Sequence, residues 1–410
     1  MIIAKFGGSS VASINNAKNI KNIVQQNSNI KFVVVSAIGK SEKYTQKVTD
    51  LLYKLYLLYV AKQDYKQTLD DIFDRYINLA KELKLTINFD KQKQNIVDAL
   101  KANLASKAYI VSRGEYLSAL LYSKFLQGQF LDASEYIIFK SNGEINYKQT
   151  QKRLKSLASD NLYVIGGFYG ASTSGKIKVF DRGGSDITGA IIAKVLDAEI
   201  YQNYTDVDGV FDKNPRIFNN ANMLPILSYK TAYGMADAGN EVVHKTALKV
   251  LKQTNTVLIV KNTNNTDFGT VVTSADYILK KLLVCKTSVK VLKFLNITQE
   301  IKSKLATIGR LKRIVKHNAY FYALFEELYI AKNKIFETIK PVEIFDAVMF
   351  TLFENIQICN KNIKKISKMC KKIKKHAIFS KFFAYKNNFV ILAKHENNDK
   401  IITKINSYLQ

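Results

Sequence analysis

The residues best suited to chemistry in this sequence lie in a glycine turn that reads DRGGSDITGA. Gly183 and Gly184 allow a tight turn after a β-prone run, and Ser185 or Asp186 can cap the helix predicted to follow. A helix N-terminus offers free N–H groups and the positive end of a dipole to an anion, and Arg182 adds a planar cation beside them. This turn therefore predicts a site for a carboxylate or a phosphate group.

A second glycine turn follows the first predicted strand, where Lys5 precedes Gly7, Gly8 and Ser9. Backbone N–H groups of such a turn can surround phosphate oxygens, while the lysine ammonium neutralises their charge. The same pattern also fits an ordinary strand, turn and helix with an exposed lysine. The second turn alone leaves both interpretations open.

Acidic residues supply further candidates for ligand contacts. Asp206, Asp208 and Asp212 follow a predicted strand at the edge where parallel strands end, so they suit ribose hydroxyls or a metal ion. Glu115 is predicted at the start of a helix, where it either interacts with the helix dipole or grips an ammonium group. His244 is interpreted as structural, and the sequence shows no Ser/His/Asp or Cys/His set that would indicate nucleophilic catalysis.

The elements that must position these residues alternate between strands and helices. The predicted strands cover residues 2–6, 32–36, 109–112, 136–140, 162–166, 177–180, 199–204 and 257–261. Glycine turns lead from several of them into helices, including helices predicted over 48–84 and 114–126. Buried strands without polar alternation, separated by helices, predict an α/β fold with a largely parallel sheet sandwiched between helices.

Length and glycine usage indicate more than one domain. The chain has 410 residues, more than one average domain, and glycine nearly disappears after a candidate linker at 263–270. We predict a catalytic domain over 1–275 and a smaller α+β region over 276–410, with two units at about 280–345 and 346–410. The region over 346–410 is predicted to contain a strand from 346, a basic helix over 362–375, strands over 382–385 and 389–394, and a helix over 400–408.

Charge and composition limit the classes of partner. The formal net charge is +28, and most of the excess lies in residues 276–410. Because lysine predominates together with Asn and Ile, we favour the bias of an AT-rich genome over a nucleic-acid site as the explanation. No apolar run approaches the ~18 residues of a membrane span, and the first residues lack the form of a secretory signal. Cys285, Cys359 and Cys370 have neither metal-type nor framework spacing, which predicts a cytoplasmic protein in a reducing compartment.

Seven motifs taken together resemble the aspartate kinase family, in the same order and with similar spacing over residues 1 to about 272. They are KFGGSS, VVVSA, KVTDLL, SRGE, DRGGSDITGA, TDVDGVFDKNPR and EVVH. The resemblance implies the amino-acid-kinase fold and the reaction of ATP with L-aspartate to give 4-phospho-L-aspartate and ADP. This reaction is the first step of lysine, threonine, methionine and diaminopimelate biosynthesis. Mg²⁺ is expected to enter with ATP, and no protein ligand for it is predicted.

The resemblance also implies roles for individual residues. The catalytic residues would be Lys5 and Asp186. Nucleotide and phosphate binding would involve Lys5, Gly7, Gly8, Ser9, Thr205, Asp206, Phe211 and Arg216, and aspartate binding would involve Ser36, Thr49, Glu115, Arg182, Gly183 and Ser185. The β-carboxylate of aspartate is already ionised at neutral pH, so the reaction needs no general base. Catalysis would then consist of alignment and charge neutralisation.

Departures from the family pattern leave alternatives open. Many members have an aromatic hydroxyl in place of Phe211, a lysine in place of Glu241 and a proline in place of Lys245. A carboxylate at 241 near ATP phosphates would repel them. The alternatives are a regulator with a decayed active site that binds a nucleotide or effector, and a kinase of the same fold that acts on another acidic amino acid.

The family resemblance further implies that residues 276–410 form paired ACT-like βαββ units. Such units bind an end-product amino acid, here lysine or threonine, and mediate assembly of a homodimer or a higher homo-oligomer. The region contains no recognisable effector-binding motif. Feedback control is therefore an expectation from the family alone.

Overall fold

The computed structural model describes residues 1–157, 160–181, 183–215, 217–218, 221–240, 242–275, 281–307, 309–317, 319–328, 341–354, 379–383, 388–394 and 402. The chain divides into two compact units. The first comprises Met1–Val210, Met223–Ala236 and Glu241–Tyr277, and the second comprises Phe211–Asn222, Asp237–Asn240 and Ile278–Gln410. No helix within the described ranges is long and apolar enough to cross a membrane.

The elements up to residue 275 alternate between short strands and helices. In chain order they are β1 Ile2–Phe6, α1 Ile14–Gln25, β2 Ile30–Val35, α2 Val48–Val60, α3 Lys66–Glu82, α4 Asp90–Lys101, α5 Lys107–Leu126, β3 Gln129–Leu131, α6 Ala133–Tyr136, β4 Ile138–Phe139, α7 Tyr147–Lys155, β5 Tyr163–Gly166, β6 Tyr169–Ser172, β7 Ile177–Val179, α8 Gly184–Val195, β8 Ile200–Thr205, β9 Ile226–Ser228, α9 Tyr229–Ala238, α10 Lys245–Leu251, β10 Val257–Asn262 and β11 Thr270–Thr273.

Eight of these strands form one sheet in the order β3-β5-β2-β1-β8-β10-β11-β9. The first six strands in this order run parallel, and β11 is antiparallel to β10. The strands β4, β6 and β7 form a separate small sheet. The predicted α/β fold with a largely parallel sheet is therefore confirmed, and β1 and β8 occupy its centre.

Strand β1 is buried on both faces because helices cover both sides of the sheet. Ile2, Ala4 and Phe6 join a core cluster with residues of α1 to α5. The alternate residues Ile3 and Lys5 point to the opposite face, since successive side chains of a strand alternate, and α8 packs against β1. The side chain of Lys5 is thereby directed toward α8.

The structure corrects several predicted elements. Residues 109–112 are not a strand: they lie in α5, which begins at Lys107 with Ser106 as its N-cap. The helix predicted over 48–84 is two helices, α2 and α3, and residues 263–270 connect β10 to β11 within the first unit rather than linking two domains. The segment predicted as a strand over 136–140 contains the end of α6 and the two-residue strand β4.

The second unit contains an antiparallel sheet. Its elements are β12 Lys281–Phe294, α11 Gln299–Thr307, β13 Gly309–His317, β14 Tyr320–Leu328, β15 Glu343–Glu354, β16 Phe379–Phe383 and β17 Asn388–Lys394. The strand order is β13-β14-β12-β15-β17-β16, so β12 and β15 pair at the centre. The succession β12, α11, β13 and β14 is the predicted βαββ pattern.

Predictions for the last 65 residues are met where the structure describes them. The strand predicted from residue 346 is part of β15, and the strands predicted over 382–385 and 389–394 correspond to β16 and β17, each starting earlier than predicted. The predicted basic helix over 362–375 and nearly all of the helix over 400–408 lie outside the described residues.

Candidate active site

The centre of the site is an ion pair between Lys5 and Asp186. The Lys5 Nζ atom lies 2.8 Å from Asp186 Oδ1. Both residues are only 8% exposed. Lys5 lies near the end of β1, and Asp186 lies in the first turn of α8. The pair therefore brings the two predicted anion-binding turns together at the carboxyl ends of the central strands.

Three further groups fix the Asp186 carboxylate. The backbone N–H of His244 donates to Oδ2 at 2.9 Å, and Asn203 Nδ2 donates to Oδ1 at 3.0 Å. The Oδ1 atom of the Asn203 side chain in turn accepts a hydrogen bond from Lys5 Nζ at 3.2 Å. Burial alone would raise the pKa of Asp186, but the Lys5 ammonium and these donors together lower the pKa below its ordinary value. Asp186 is therefore ionised at neutral pH.

The turn after β1 is shaped by close backbone contacts. The Gly7 N–H donates to the Tyr204 carbonyl at 3.1 Å. A Cβ atom on Gly8 would lie 2.9 Å from the Ala37 carbonyl oxygen, so this position needs glycine. Within the described residues no acceptor is recorded for the N–H groups of Gly8, Ser9 and Ser10. These N–H groups are available to an anion, whereas the Gly7 N–H, which was predicted to be among them, is already bonded to the Tyr204 carbonyl.

The helix after this first turn begins several residues beyond the two glycines. Helix α1 starts at Ile14, and the N-cap is Ser13, whose side chain accepts from the Asn16 N–H at 3.3 Å. Val11 lies in the turn that precedes the helix. The free donors are consequently those of an extended turn rather than of a helix end.

The second turn enters α8 directly. Its N-cap is Gly183, with φ +61°, so the predicted cap at Ser185 or Asp186 is wrong: both residues lie in the first helical turn. A Cβ atom on Gly167 would lie 2.5 Å from Ser185 Oγ. The end of β5 therefore packs directly against the start of α8. Arg182, predicted beside this turn, lies outside the described residues.

Glu115 occupies a different position from the predicted one. It lies in the middle of α5, so the interpretation as a partner of the helix dipole is wrong. The residue is 4% exposed, and its Oε2 atom has no hydrogen-bond partner among the described residues. Burial raises the pKa of Glu115 to about 8, an effect that the Ala37 backbone N–H partly opposes. A buried carboxylate oxygen without a partner is the property expected of a binding group for a cation.

Ser36 and Thr49 lie on segments that pack against the first turn. The Ser36 N–H donates to the Phe6 carbonyl at 3.1 Å, next to the end of β1. Thr49 follows Val48, whose N–H donates to the Ile38 carbonyl at 3.0 Å. Both predicted residues are half-buried. The structure thus brings the segment 36–49 to the same sheet edge as the glycine turn.

The acidic loop after β8 is linked to other loops of the first unit. Thr205 Oγ1 donates to Asp206 Oδ1 at 3.2 Å, and Asp206 is exposed. Asp208 accepts from Asn262 Nδ2 at 2.8 Å. Thr263 contacts Ser10 Oγ at 2.6 Å and donates its N–H to the Thr205 carbonyl at 3.0 Å. The end of β10 therefore connects the acidic loop to the turn after β1.

The remaining predicted residues fall elsewhere. Phe211 is half-buried and belongs to the second unit, as does Asp212, whose carboxylate accepts from the Asn222 N–H at 2.8 Å. Arg216 and Glu241 lie outside the described residues. In the part of the chain that is described, no group of three His, Cys, Asp or Glu side chains is placed to hold a metal ion.

Sequence reasoning missed Asn203, Thr263 and the backbone role of His244. Asn203 was detectable as one of two adjacent amides, with Gln202, inside a predicted strand, IYQNYT. Thr263 was hidden because the segment was interpreted as a linker. The His244 contact uses a backbone N–H, which carries no sequence signal. The side chain of His244 is structural, as predicted, because it caps α10 by accepting from the Thr246 N–H.

Comparison with known proteins agrees with this geometry. Residues 1–262 match the model of the amino acid kinase family. Aspartokinase 3 of Bacillus subtilis is 31% identical over 284 residues, which cover 65% of this chain and 62% of that protein. The chain thus spans less than two thirds of the length of the curated relatives it matches.

Two solved structures are similar over their full length. The aspartate kinase of Clostridium acetobutylicum superposes with a TM-score of 0.81 at 26% identity, covering 100% of both chains. Aspartokinase III of E. coli, in complex with aspartate and ADP, gives a TM-score of 0.80 at 20% identity, covering 100% of this chain and 99% of that one. At this lower identity the second structure supports the fold alone.

Proposed function

The chain belongs to the amino acid kinase family, and we propose that it is an aspartate kinase. The reaction transfers the γ-phosphoryl group of ATP to the β-carboxylate of L-aspartate, giving 4-phospho-L-aspartate and ADP. This is the entry step to lysine, threonine, methionine and diaminopimelate. The observation that carries the proposal is the buried Lys5–Asp186 pair, at which two anion-binding turns meet.

Lys5 and the turn after β1 bind the triphosphate in this proposal. The N–H groups of Gly8 and Ser9 have no acceptor within the described chain and are available to phosphate oxygens. A Cβ atom on Gly7 would lie 3.6 Å from Lys5 Nζ, so the ammonium lies beside the turn. Lys5 can therefore neutralise charge on the group in transfer. Mg²⁺ enters with ATP and neutralises further phosphate charge when bound.

Aspartate binds on the other side of Asp186. Its ammonium group pairs with Glu115, whose Oε2 atom lacks a partner. Its carboxylates bind at Gly183 and Ser185, at the start of α8, where the N–H groups and the helix dipole favour a negative charge. The role proposed for Arg182 in the same binding rests on the family resemblance alone. Ser36 and Thr49 complete the substrate contacts.

A free ammonium group is the feature that Glu115 selects. An uncharged N-acetyl group would give the ionised Glu115 carboxylate no counter-charge, so the ion pair that an ammonium forms would be lost. Aspartate and glutamate both carry the ammonium, whereas N-acetylglutamate does not. The position of Glu115 therefore favours an unmodified amino acid as the acceptor.

The residues around the reacting groups act by alignment. The acceptor carboxylate is ionised at neutral pH, so no side chain has to remove a proton. Asp186 is ionised and saturated with donors, which suits it to orient Lys5 rather than to act as an acid. Fixed donors aimed at the transferring phosphoryl group supply the stabilisation that this class of reaction requires.

The nucleotide lies along the acidic loop after β8. Thr205 and Asp206 contact it at the end of β8. For Phe211 and Arg216 the proposal rests on the family resemblance alone. The link from Thr263 to Ser10 and Thr205 supports this role because it connects the loop to the phosphate turn.

The second unit acts in regulation and assembly. Its βαββ succession supports an ACT-like pair that binds an amino-acid effector, lysine or threonine, and joins protomers into a homodimer or a higher homo-oligomer. Aspartate turnover repeated with lysine or threonine tests the effector. Sedimentation of the full chain with and without that effector tests the assembly.

An ADP-release assay with Mg-ATP tests the catalytic proposal. Aspartate, glutamate and N-acetylglutamate are supplied in parallel, and hydroxylamine traps the acyl phosphate as a hydroxamate. We expect turnover and hydroxamate with aspartate alone. Turnover with glutamate and none with aspartate would refute aspartate as the substrate. Nucleotide binding without turnover on any of the three would favour a regulator over an enzyme.

A further inference from the structure

Asn203 is a buried amide at the centre of the first unit for which the reaction as described has no use. It lies on β8 opposite Lys5 of β1 in the parallel register, and its exposed fraction is 0%. A neutral amide buried in a parallel sheet costs free energy unless its polar atoms are hydrogen-bonded. The partners of Asn203 are the two members of the ion pair.

We propose that Asn203 is a positioning residue, which holds the Lys5 ammonium beside the phosphate turn and fixes the orientation of the Asp186 carboxylate. This role rests on the proposed phosphoryl transfer. The amide oxygen accepts from Lys5 Nζ at 3.2 Å, while the amide nitrogen donates to Asp186 Oδ1 at 3.0 Å. One side chain thus bonds both ions with the two ends of its amide.

The number of donors and acceptors explains why this position matters. An ammonium has three N–H donors. Lys5 uses two of these donors for Asp186 and Asn203, which leaves one for a phosphate oxygen. Oδ1 of Asp186 accepts from Lys5 and Asn203, and Oδ2 accepts from the His244 N–H, so the carboxylate cannot rotate without losing a bond.

An apolar residue at position 203 would leave Lys5 with a single fixed acceptor. The ammonium could then swing about Asp186 and would reach the phosphates in a smaller fraction of its conformations. Because a small misplacement at a reacting centre costs a large factor in rate, we expect the loss chiefly in steps that involve the triphosphate.

The Asn203→Leu substitution tests this role, because leucine branches at the same carbon and removes both hydrogen bonds. Titration with Mg²⁺ and a non-hydrolysable ATP analogue is expected to show about 10-fold weaker binding, the scale of a hydrogen bond to a charged group. The kcat/KM for ATP is expected to fall about 10-fold to 100-fold. The KM for aspartate is expected to stay within about threefold, because Asn203 acts through Lys5 on the triphosphate. A merely structural defect would instead affect both substrates.

Asn203→Asp provides a second variant if leucine prevents folding. It keeps the size of the side chain and an acceptor for Lys5, but it replaces the donor to Asp186 with a like charge. We expect analogue binding at least as weak as in Asn203→Leu. Binding equal to that of the wild type in either folded variant would overturn the proposal.

Gln202 supplies the matched control on the same strand. Its side chain is 8% exposed and accepts from the Tyr204 hydroxyl at 3.1 Å, on the opposite face of the sheet. Gln202→Leu removes a buried amide without touching the ion pair, so analogue affinity should stay within about twofold of the wild type.

A double-mutant cycle separates positioning of Lys5 from a general packing defect. In a Lys5→Met background, Asn203→Leu should cause no further loss of analogue affinity, because the group it positions is absent. An equal loss in both backgrounds would overturn the proposal. The titration needs no amino acid, so a wild-type chain that binds the analogue but does not phosphorylate aspartate would refute the proposed substrate and leave the role of Asn203 measurable.

Discussion

Gly183 lies directly against His244. A Cβ atom on Gly183 would lie 2.4 Å from the Cβ atom of His244, and the glycine has a φ of +61°. The N–H of His244 donates to Asp186 Oδ2, so displacement of His244 would also displace the carboxylate. This contact makes glycine necessary at the start of α8 for the geometry of the site as well as for its backbone conformation.

Gly183→Ala should therefore lower turnover by about 100-fold, since displacement near 1 Å at a reacting centre has effects of this size. Gly175→Ala is the matched control, because Gly175 also has positive φ, +81°, but has no neighbour within 4 Å of an added Cβ. The control should lose only about 1–2 kcal/mol of stability from the left-handed backbone and keep its activity. Steady-state kinetics and urea unfolding measure both effects. Equal activity in the two variants would refute the role of the Gly183–His244 contact in the geometry of the site.

Lys5→Met separates the catalytic role of the ion pair from its structural cost. The substitution leaves a buried, uncompensated carboxylate, which should cost about 3–5 kcal/mol in the free energy of unfolding. Turnover should fall by about 100-fold to 1000-fold, the scale of one lost electrostatic donor. Adding Asp186→Asn should restore most of the stability, because no unpaired charge remains, but none of the turnover. Recovery of activity in the double variant would remove Lys5 from phosphoryl transfer.

The fold was predictable because apolar runs and glycine turns carry strong local signals, but α5 shows the limit of such signals. The β-prone residues Tyr109, Ile110 and Val111 precede Gly114, which suggested a strand and a turn. In the structure the helix is buried along most of its length, and tertiary packing outweighs propensity. Gly114 serves packing, since a Cβ atom there would lie 2.7 Å from Ala37 Cβ.

The site was predictable only in part, because some of its contacts depend on strand register. The glycine turns and their charged residues could be identified from composition and spacing. The contact of Asn203 with Lys5 joins residues 198 positions apart, and the contact of Ser10 with Thr263 joins residues 253 positions apart. Nothing in either local sequence indicates the partner, so these links emerge only once β1, β8 and β10 are aligned.

Thr263→Val should weaken the nucleotide site without affecting aspartate. Valine keeps the shape of the side chain but loses the hydroxyl that contacts Ser10 Oγ at 2.6 Å and the Thr205 carbonyl at 3.3 Å. At about 1 kcal/mol for each hydrogen bond, the KM for ATP should rise roughly 5-fold to 30-fold. Thr273→Val is the control, because among the described residues the Thr273 hydroxyl accepts only from the Ala275 N–H. Equal changes in the KM for ATP and for aspartate would contradict the assignment.

Aspartate binding should depend on pH through Glu115. Burial raises the pKa of this carboxyl to about 8 in the unliganded protein. The substrate ammonium binds the ionised form, so below pH 8 binding must release a proton. The apparent Kd for aspartate should consequently rise toward tenfold for each pH unit below about 8. Glu115→Gln should bind aspartate weakly and with little pH dependence between pH 6 and 8, and a flat profile in the wild type would refute the assignment.

The same raised pKa predicts an opposite trend for the stability of the unliganded chain. The folded protein holds the Glu115 proton more tightly than the unfolded chain, whose carboxyl has the ordinary value of 4.5. The stabilising contribution is fully present below about pH 4.5 and is lost as pH rises through about 8. Thermal unfolding should therefore show a larger loss of stability between pH 6 and 9 in the wild type than in Glu115→Gln. Saturating aspartate should remove most of this difference, because its ammonium compensates the ionised carboxylate; if it does not, Glu115 does not bind the substrate ammonium.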